Sequence, residues 1–212
     1  MPTDNQQKLD GFVSVTEILS YFEEPELVQW KLKTGLKESN RISRMTAKTG
    51  SRVHELIYSN WQKGDYKLLK ADNSEVRSCM EAWDRFKLDY APNILKAEFE
   101  VRHEGMKIIG HADMLATCNK ETTLIDIKTA GSIKPKHWVQ LAGYWSLLGD
   151  LSVDSVAILR LDRNIGVYEF EVRKPQPELF WALAQVYDFY TERNVPMAQG
   201  DSNANSPTTK EV

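Results

Sequence analysis

The chain has 212 residues, 42% hydrophobic and 27% charged, and its 30 acidic against 27 basic side chains leave a formal charge of −3. That length suits one ordinary domain with a sizeable core, and the composition excludes collagen-like, wholly disordered and disulfide-stapled classes. No apolar run approaches the ~18 residues of a membrane-spanning helix, and residues 1–10 lack the basic start and apolar stretch of a secretory signal, so a cytoplasmic protein without membrane contact is expected.

A single domain is expected over residues 11–195, between flexible tails at 1–10 and 198–212, the second rich in Gly, Ser, Asn, Pro and Thr. Ser14-Val15-Thr16-Glu17 has the spacing of a capping box, in which Ser and Glu satisfy orphan amides reciprocally, and predicts a short helix. Pro25 fits a second helix start and Gly35 its stop. A third helix over about 45–63 carries Val53, Leu56, Ile57 and Trp61 at helical spacing and ends near Gly64. A fourth runs from Ser74 to Tyr90, capped by Asn73 and closed by Pro92. Within this helical third, residues 31–52 place seven cations, Lys31, Lys33, Lys37, Arg41, Arg44, Lys48 and Arg52, against Glu38 alone. Such a run is either a solvated helix face or a patch for a polyanion.

After Pro92 the period changes to alternation: Leu95, Ala97, Phe99 and Val101 interleave with Lys96, Glu98, Glu100 and Arg102, the pattern of a half-buried strand. A turn at Glu104-Gly105, a strand over 106–118, a turn at 119–122 and a strand over 123–129 complete an antiparallel meander. Helical spacing returns over Lys136–Leu148, followed by strands at Asp154–Leu161 and Val167–Val172 and a helix from Gln176 to about Arg193. Cys79 and Cys118 stand apart from each other and from any CxxC pattern, so both read as small core residues.

The facing of the second and third strands places the chemistry. Alternation puts Ile108, Gly110, Ala112, Met114 and Ala116 on one side of the second strand, with His111 and Asp113 on the other. In the third, Ile125 and Ile127 share a face opposite Leu124, Asp126 and Lys128. Pairing through the 119–122 turn makes opposed residue numbers sum to about 240, so Asp113 lies opposite Asp126 or Lys128, or within one residue of that register. Two neighbouring carboxylates repel across a sheet, and a divalent cation reverses that sign. An isolated Asp-x-Lys otherwise reads as a solvated ladder.

Gly110-His111-Ala112-Asp113, then Leu124-Ile125-Asp126-Ile127-Lys128-Thr129, then Gln140-Leu141-Ala142-Gly143-Tyr144 resembles the GxxD, DxK and QxxxY series of RecB-like nucleases in the PD-(D/E)XK superfamily. Gly50-Ser51-Arg52-Val53-His54 is similar to the helical segment carrying that family's metal-binding histidine. The resemblance implies an α/β restriction-endonuclease-like core, a central mixed sheet flanked by helices with an N-terminal helical portion. It implies that His54, Asp113 and Asp126 bind Mg²⁺ or Mn²⁺ with the Ile127 carbonyl. Lys128 then positions the attacking water and stabilises charge on the scissile phosphate. Gln140 and Tyr144, four apart and on one helix face, border the site near the substrate backbone. The implied activity is hydrolysis of phosphodiester bonds from DNA ends, in recombination, repair or phage DNA processing, with a recombination or helicase partner.

Glu98 occupies a place where some relatives keep another acidic residue, although a solvated strand face accounts for it equally. His111 and His137 read as ordinary polar residues within reach of phosphate. Trp83, Trp145 and Trp181 follow apolar stripes into the core, leaving Trp61 or Trp138 to stack on a base. Two cysteines cannot hold the iron–sulfur cluster of some relatives, the Pro that often precedes the first Asp is Ala112 here, and no phosphate loop of a helicase motor is present. A non-catalytic nucleic-acid-binding subunit and a structure-specific endonuclease are the competing readings.

Overall fold

In a computed structural model, residues 11–22, 24–149 and 152–193 are described; the expected tails at 1–10 and 198–212 lie outside them. The order is β1 (Val13–Ser14), α1 (Val15–Ser20), α2 (Pro25–Thr34), α3 (Leu36–Lys63), α4 (Ser74–Tyr90), β2 (Asn93–His103), β3 (Ile108–Cys118), β4 (Glu121–Lys128), α5 (Pro135–Leu148), β5 (Ser155–Leu161), β6 (Tyr168–Arg173) and α6 (Pro177–Tyr190). This is an α/β fold with a mixed six-stranded sheet between helices.

Local chemistry accounts for most boundaries. Ser14 Oγ accepts from the Glu17 amide at 3.0 Å, and Asn73 Oδ1 from the Val76 amide at 3.0 Å, each capping a helix start. Only half of the expected capping box forms, because the Glu17 carboxylate accepts instead from the Tyr187 hydroxyl at 3.2 Å, tying α1 to α6. Gly64 closes α3 in the left-handed region, at φ 74°. α3 itself is longer than the apolar spacing suggested, since Leu36–Lys63 is one helix of 28 residues and takes in much of the basic run. Asn119 and Lys120, at φ 50° and 71°, make the two-residue β3–β4 hairpin turn.

β2 pairs antiparallel along one edge of β3. The other edge is shared: β1 pairs parallel with Ile108 and Ile109, and β4 pairs antiparallel with Met114 through Cys118. β4 and β5 are parallel, joined over one face by α5, and β6 closes the sheet antiparallel to β5. Two cores result. One lies between the sheet and α1, α5 and α6, with Ile108, Ala112, Leu124, Leu141 and Phe180 buried. Gly143 allows this layer to close, since a Cβ there would stand 2.8 Å from the Phe180 ring. The second lies under α3 and α4, with Val53, Ile57, Trp83, Met114 and Ile125.

Two expectations of facing fail at neighbouring places. Ile108 and Ala112 join the first core, whereas Met114 and Ala116 join the second, so β3 exchanges faces around Asp113. In β2 a register shift between Ile94 and Lys96 turns Ile94 inward and leaves Leu95 45% exposed. The extra residue breaks the period-two pattern that alternation assumes. Two residues further along β3, beyond the Met114–Ile125 pair, β3 and β4 part.

Candidate active site

β4 leaves β3 after the Met114–Ile125 pair, the register whose next step sets Asp113 against Asp126. There the Asp113 side chain replaces the ladder: its Oδ2 accepts from the Ile127 amide at 2.7 Å. On the opposite edge Glu98 falls between the Ala97–Met114 and Phe99–Ala112 pairs and has φ 48°, a left-handed conformation inside a strand. Such a backbone costs about 1–3 kcal/mol and persists only where its surroundings enforce it. α3 crosses this region with Val53, Leu56 and Ile57 buried, which commits the next helix face, and His54 with it, to the parted strands.

His54 Nδ1 is 3.2 Å from Glu98 Oε1 and 3.5 Å from Asp113 Oδ1, while its Nε2 is 3.2 Å from the Ile127 carbonyl. Burial opposes a charge on His54, but Asp113, Glu98 and Asp126 outweigh it and raise the pKa to about 9. Burial also pushes the Asp113 carboxyl up, to about 7; His54 and Lys128 pull it down while Asp126 adds to the rise.

Asp126 is 1% exposed, and neither of its carboxylate oxygens receives a hydrogen bond. Lys128 Nζ stands 2.7 Å from Asp126 Oδ2, an ion pair out of hydrogen-bond alignment. Burial disfavours charge on Lys128, yet Asp126 and Asp113 hold its pKa above the ordinary lysine value. The same ammonium donates to Gln140 Oε1 at 3.0 Å, and Gln140 Nε2 donates to the Tyr144 hydroxyl at 2.7 Å. Gln140 lines the cleft, whereas Tyr144 stands behind it, 4% exposed, with burial raising its pKa. Gly110 leaves room for the Tyr144 ring, because a Cβ there would lie 2.6 Å from Cε1. The GxxD glycine, the Tyr and the Gln thus form one support for Lys128.

These groups open on a cleft of about 710 Å³, whose other wall is the α3 face carrying Ala47, Ser51, His54 and Tyr58. His54, Glu98 and Asp113 offer ligand atoms within 4.8 Å of one another. Asp126 Oδ1, buried with neither a hydrogen bond nor the ion pair that Lys128 makes with Oδ2, is a second indication that a cation belongs here, since buried carboxylate oxygens are otherwise satisfied. Carboxylate, carbonyl and imidazole donors fit a hard divalent cation.

Other polar candidates lie elsewhere. His137 is 7% exposed and its Nδ1 accepts from the Lys134 amide at 3.1 Å, a helix-start role that removes it from phosphate; burial, with Lys128, Lys136 and Lys134 nearby, lowers its pKa to about 4. His111 is exposed beside Glu100, outside the cleft lining. Trp138 is buried under the Arg173 guanidinium, 4.0 Å from its ring centroid, and Trp61 donates to the Ile94 carbonyl at 3.2 Å. The aromatic at the cleft is instead Tyr58, whose spacing of four from His54 was its signal in the sequence. Within the basic run, Arg41 is held by Glu38 at 2.6 Å and Arg52 by Asp72 at 2.9 Å.

No family model matches the chain, and no curated protein matches it. Among solved structures, the alkaline exonuclease LHK-Exo from Laribacter hongkongensis aligns over 91% of this chain and 94% of its own, at 12% identity and a TM-score of 0.50. LHK-Exo in complex with dAMP aligns over 68% and 80%, at 14% identity and TM-score 0.43. The structure of SSO0001 aligns over 93% and 81%, at 16% identity and TM-score 0.46. No helix among the described residues is long and apolar enough to cross a membrane. The α/β fold is that of the alkaline exonuclease.

Proposed function

We propose that the chain is a divalent-metal-dependent deoxyribonuclease that hydrolyses phosphodiester bonds from DNA ends, of the RecB-like type within the PD-(D/E)XK superfamily, serving recombination, repair or phage DNA processing. The observation that carries the reading is the meeting of Asp113 and Asp126 at the parting of β3 and β4, with buried Asp126 paired to Lys128 through Oδ2 and its Oδ1 left without a donor. Two adjacent carboxylates with a lysine on one cleft wall suit phosphoryl chemistry. The fold shared with an alkaline exonuclease supports it.

In this reading His54, Glu98, Asp113, Asp126 and the Ile127 carbonyl hold Mg²⁺ or Mn²⁺. When bound, the metal lowers the pKa of water and offsets charge on the phosphate. Lys128 has three donors; Gln140 takes one and the ammonium faces Asp126 as an ion pair, leaving a donor for a non-bridging phosphate oxygen or the attacking water. Gln140, fixed by the Tyr144 hydroxyl, keeps the ammonium from collapsing wholly onto Asp126. Charge that develops on phosphate is thereby met by a donor already in place, which costs no reorganisation during the reaction.

The test is incubation of the purified chain with end-labelled linear DNA and with closed circles, single- and double-stranded, in Mg²⁺, Mn²⁺ or chelator. Linear substrates should shorten in either metal and persist in chelator, while circles stay intact. Circles nicked as fast as linear DNA is shortened would replace exonuclease by endonuclease. Absence of hydrolysis on every substrate would leave only a binding role.

A further inference from the structure

α3 is one continuous helix, so residues seven apart lie on nearly one line along it, each step drifting by about 20° and advancing about 10 Å. Lys37, Arg44, Ser51 and Tyr58 are such a series. Ser51 and Tyr58 line the cleft beside His54, whereas Lys37 and Arg44 continue the line outward along the exposed helix. The charges on this face are already sorted. Glu38 is taken by Arg41 and Glu55 by Arg52, at 2.6 and 2.9 Å. Among the described residues the side chains of Lys37, Arg44 and, beside them, Lys48 have neither an ion pair nor a hydrogen bond.

The inner end of the line has different chemistry. The Tyr58 ring is half-buried at the cleft, 5.7 Å from the ring of Trp61, which is itself anchored to the Ile94 carbonyl. The Tyr58 hydroxyl accepts from Gln62 at 2.6 Å, so the ring is held at both ends. A fixed aromatic at the end of a cationic line is the combination that binds single strands: cations follow the backbone, and a ring accepts the face of a base that is not stacked in a duplex.

We propose that the line from Lys37 through Arg44 and Ser51 to Tyr58 is the path of an unpaired DNA strand into the cleft, with phosphates on Lys37 and Arg44 and a nucleobase on Tyr58. The inference rests on the nuclease reading of the same cleft and adds the strand state of the substrate and the direction from which it arrives.

Binding of fluorescent single-stranded and duplex oligonucleotides, measured by anisotropy in chelator over a range of salt, tests the path separately from hydrolysis. Lys37→Gln with Arg44→Gln should flatten the salt dependence of single-strand affinity by about 1.4 in slope, at roughly 0.7 per phosphate contact, equally for different sequences. Lys120→Gln, exposed at the β3–β4 turn at the end of the hairpin away from Asp113 and Asp126, should leave the slope alone. Tyr58→Ala should weaken single-strand binding about 5- to 150-fold, the range measured for loss of one stacked base, with a smaller effect on duplex; Tyr58→Phe should retain binding. An unaltered slope in the double variant, or equal losses on single strand and duplex in Tyr58→Ala, overturns the path even if the wild type cleaves DNA. A flattened slope in a protein that never cleaves supports the path and refutes the nuclease reading instead.

Discussion

Replacing Gly110 by alanine places a methyl group 2.6 Å from Tyr144 Cε1, 2.7 Å from Cδ1 and 3.4 Å from Val101 Cγ2. Carbon atoms pack at about 3.5–4.0 Å, so the ring must retreat by roughly 1 Å or β3 must bend. Tyr144 is buried, and overpacking of this kind costs about 1–3 kcal/mol, or roughly 2–12 °C in Tm for a chain of this size. The larger consequence is carried outward. A displaced ring draws its hydroxyl from Gln140 Nε2, and Gln140 then no longer fixes Lys128. If Lys128 serves phosphate chemistry, a misplacement of about 1 Å is worth on the order of 10²-fold in rate. Single-turnover hydrolysis at saturating DNA and metal reads that loss, and circular dichroism melting reads the stability. Tyr144→Phe, which keeps the ring and removes the hydroxyl, should slow the same step without the packing penalty. A double-mutant cycle settles the cause: in a Tyr144→Leu background the alanine should destabilise less, with a coupling of about 0.5–3 kcal/mol. Equal penalties in both backgrounds would refute the contact, and an unchanged single-turnover rate in both Gly110→Ala and Tyr144→Phe would refute the support of Lys128.

Asp126→Ala should abolish hydrolysis while leaving the fold and much of the DNA affinity, and unchanged turnover in Mg²⁺ would remove Asp126 from the site. Lys128→Ala should keep metal binding and slow chemistry; calorimetry showing lost metal binding, with a normal rate at saturating metal, would reverse that assignment. His54→Ala should weaken Mn²⁺ binding more than Mg²⁺ binding, since imidazole is softer than the oxygens Mg²⁺ takes, and an unaltered metal titration with lowered Tm would make His54 a packing residue. His137 is held neutral in the fold, its pKa lowered to about 4 from 6.5, so the unfolded chain takes up the proton first on acidification. Stability should therefore fall as pH drops through that window, by up to about 3 kcal/mol from this residue, and be fully present above pH 6.5. His137→Asn should flatten the profile there; a denaturation series with the wild-type slope retained would show that other groups set it.

Much of this molecule follows from short-range regularities. Caps at Ser14 and Asn73, breaks at Gly35 and Gly64, and the passage from helical to alternating period after Pro92 act within a few residues, and the described elements keep them. That Asp113 comes near Asp126 or Lys128 was legible for the same reason, because a short turn leaves the hairpin little choice of register; the two-residue turn of the fold selects Asp126. What the chain could not announce locally is where a side chain goes once the period breaks. Glu98 reads as one more polar residue on an alternating strand; only the left-handed backbone opposite Asp113 brings its carboxylate to His54. Tyr144 reads as a partner of Gln140 at the cleft, yet the gap at Gly110, 34 residues earlier, draws its ring behind the site. Glu17 fits a capping box by spacing and is claimed by Tyr187, 170 residues away. Periodicity and capping are settled by neighbours in the chain; the direction of a lone polar group is settled by whichever distant element buries it, and that competition exists only once the sheet and both helical layers have closed.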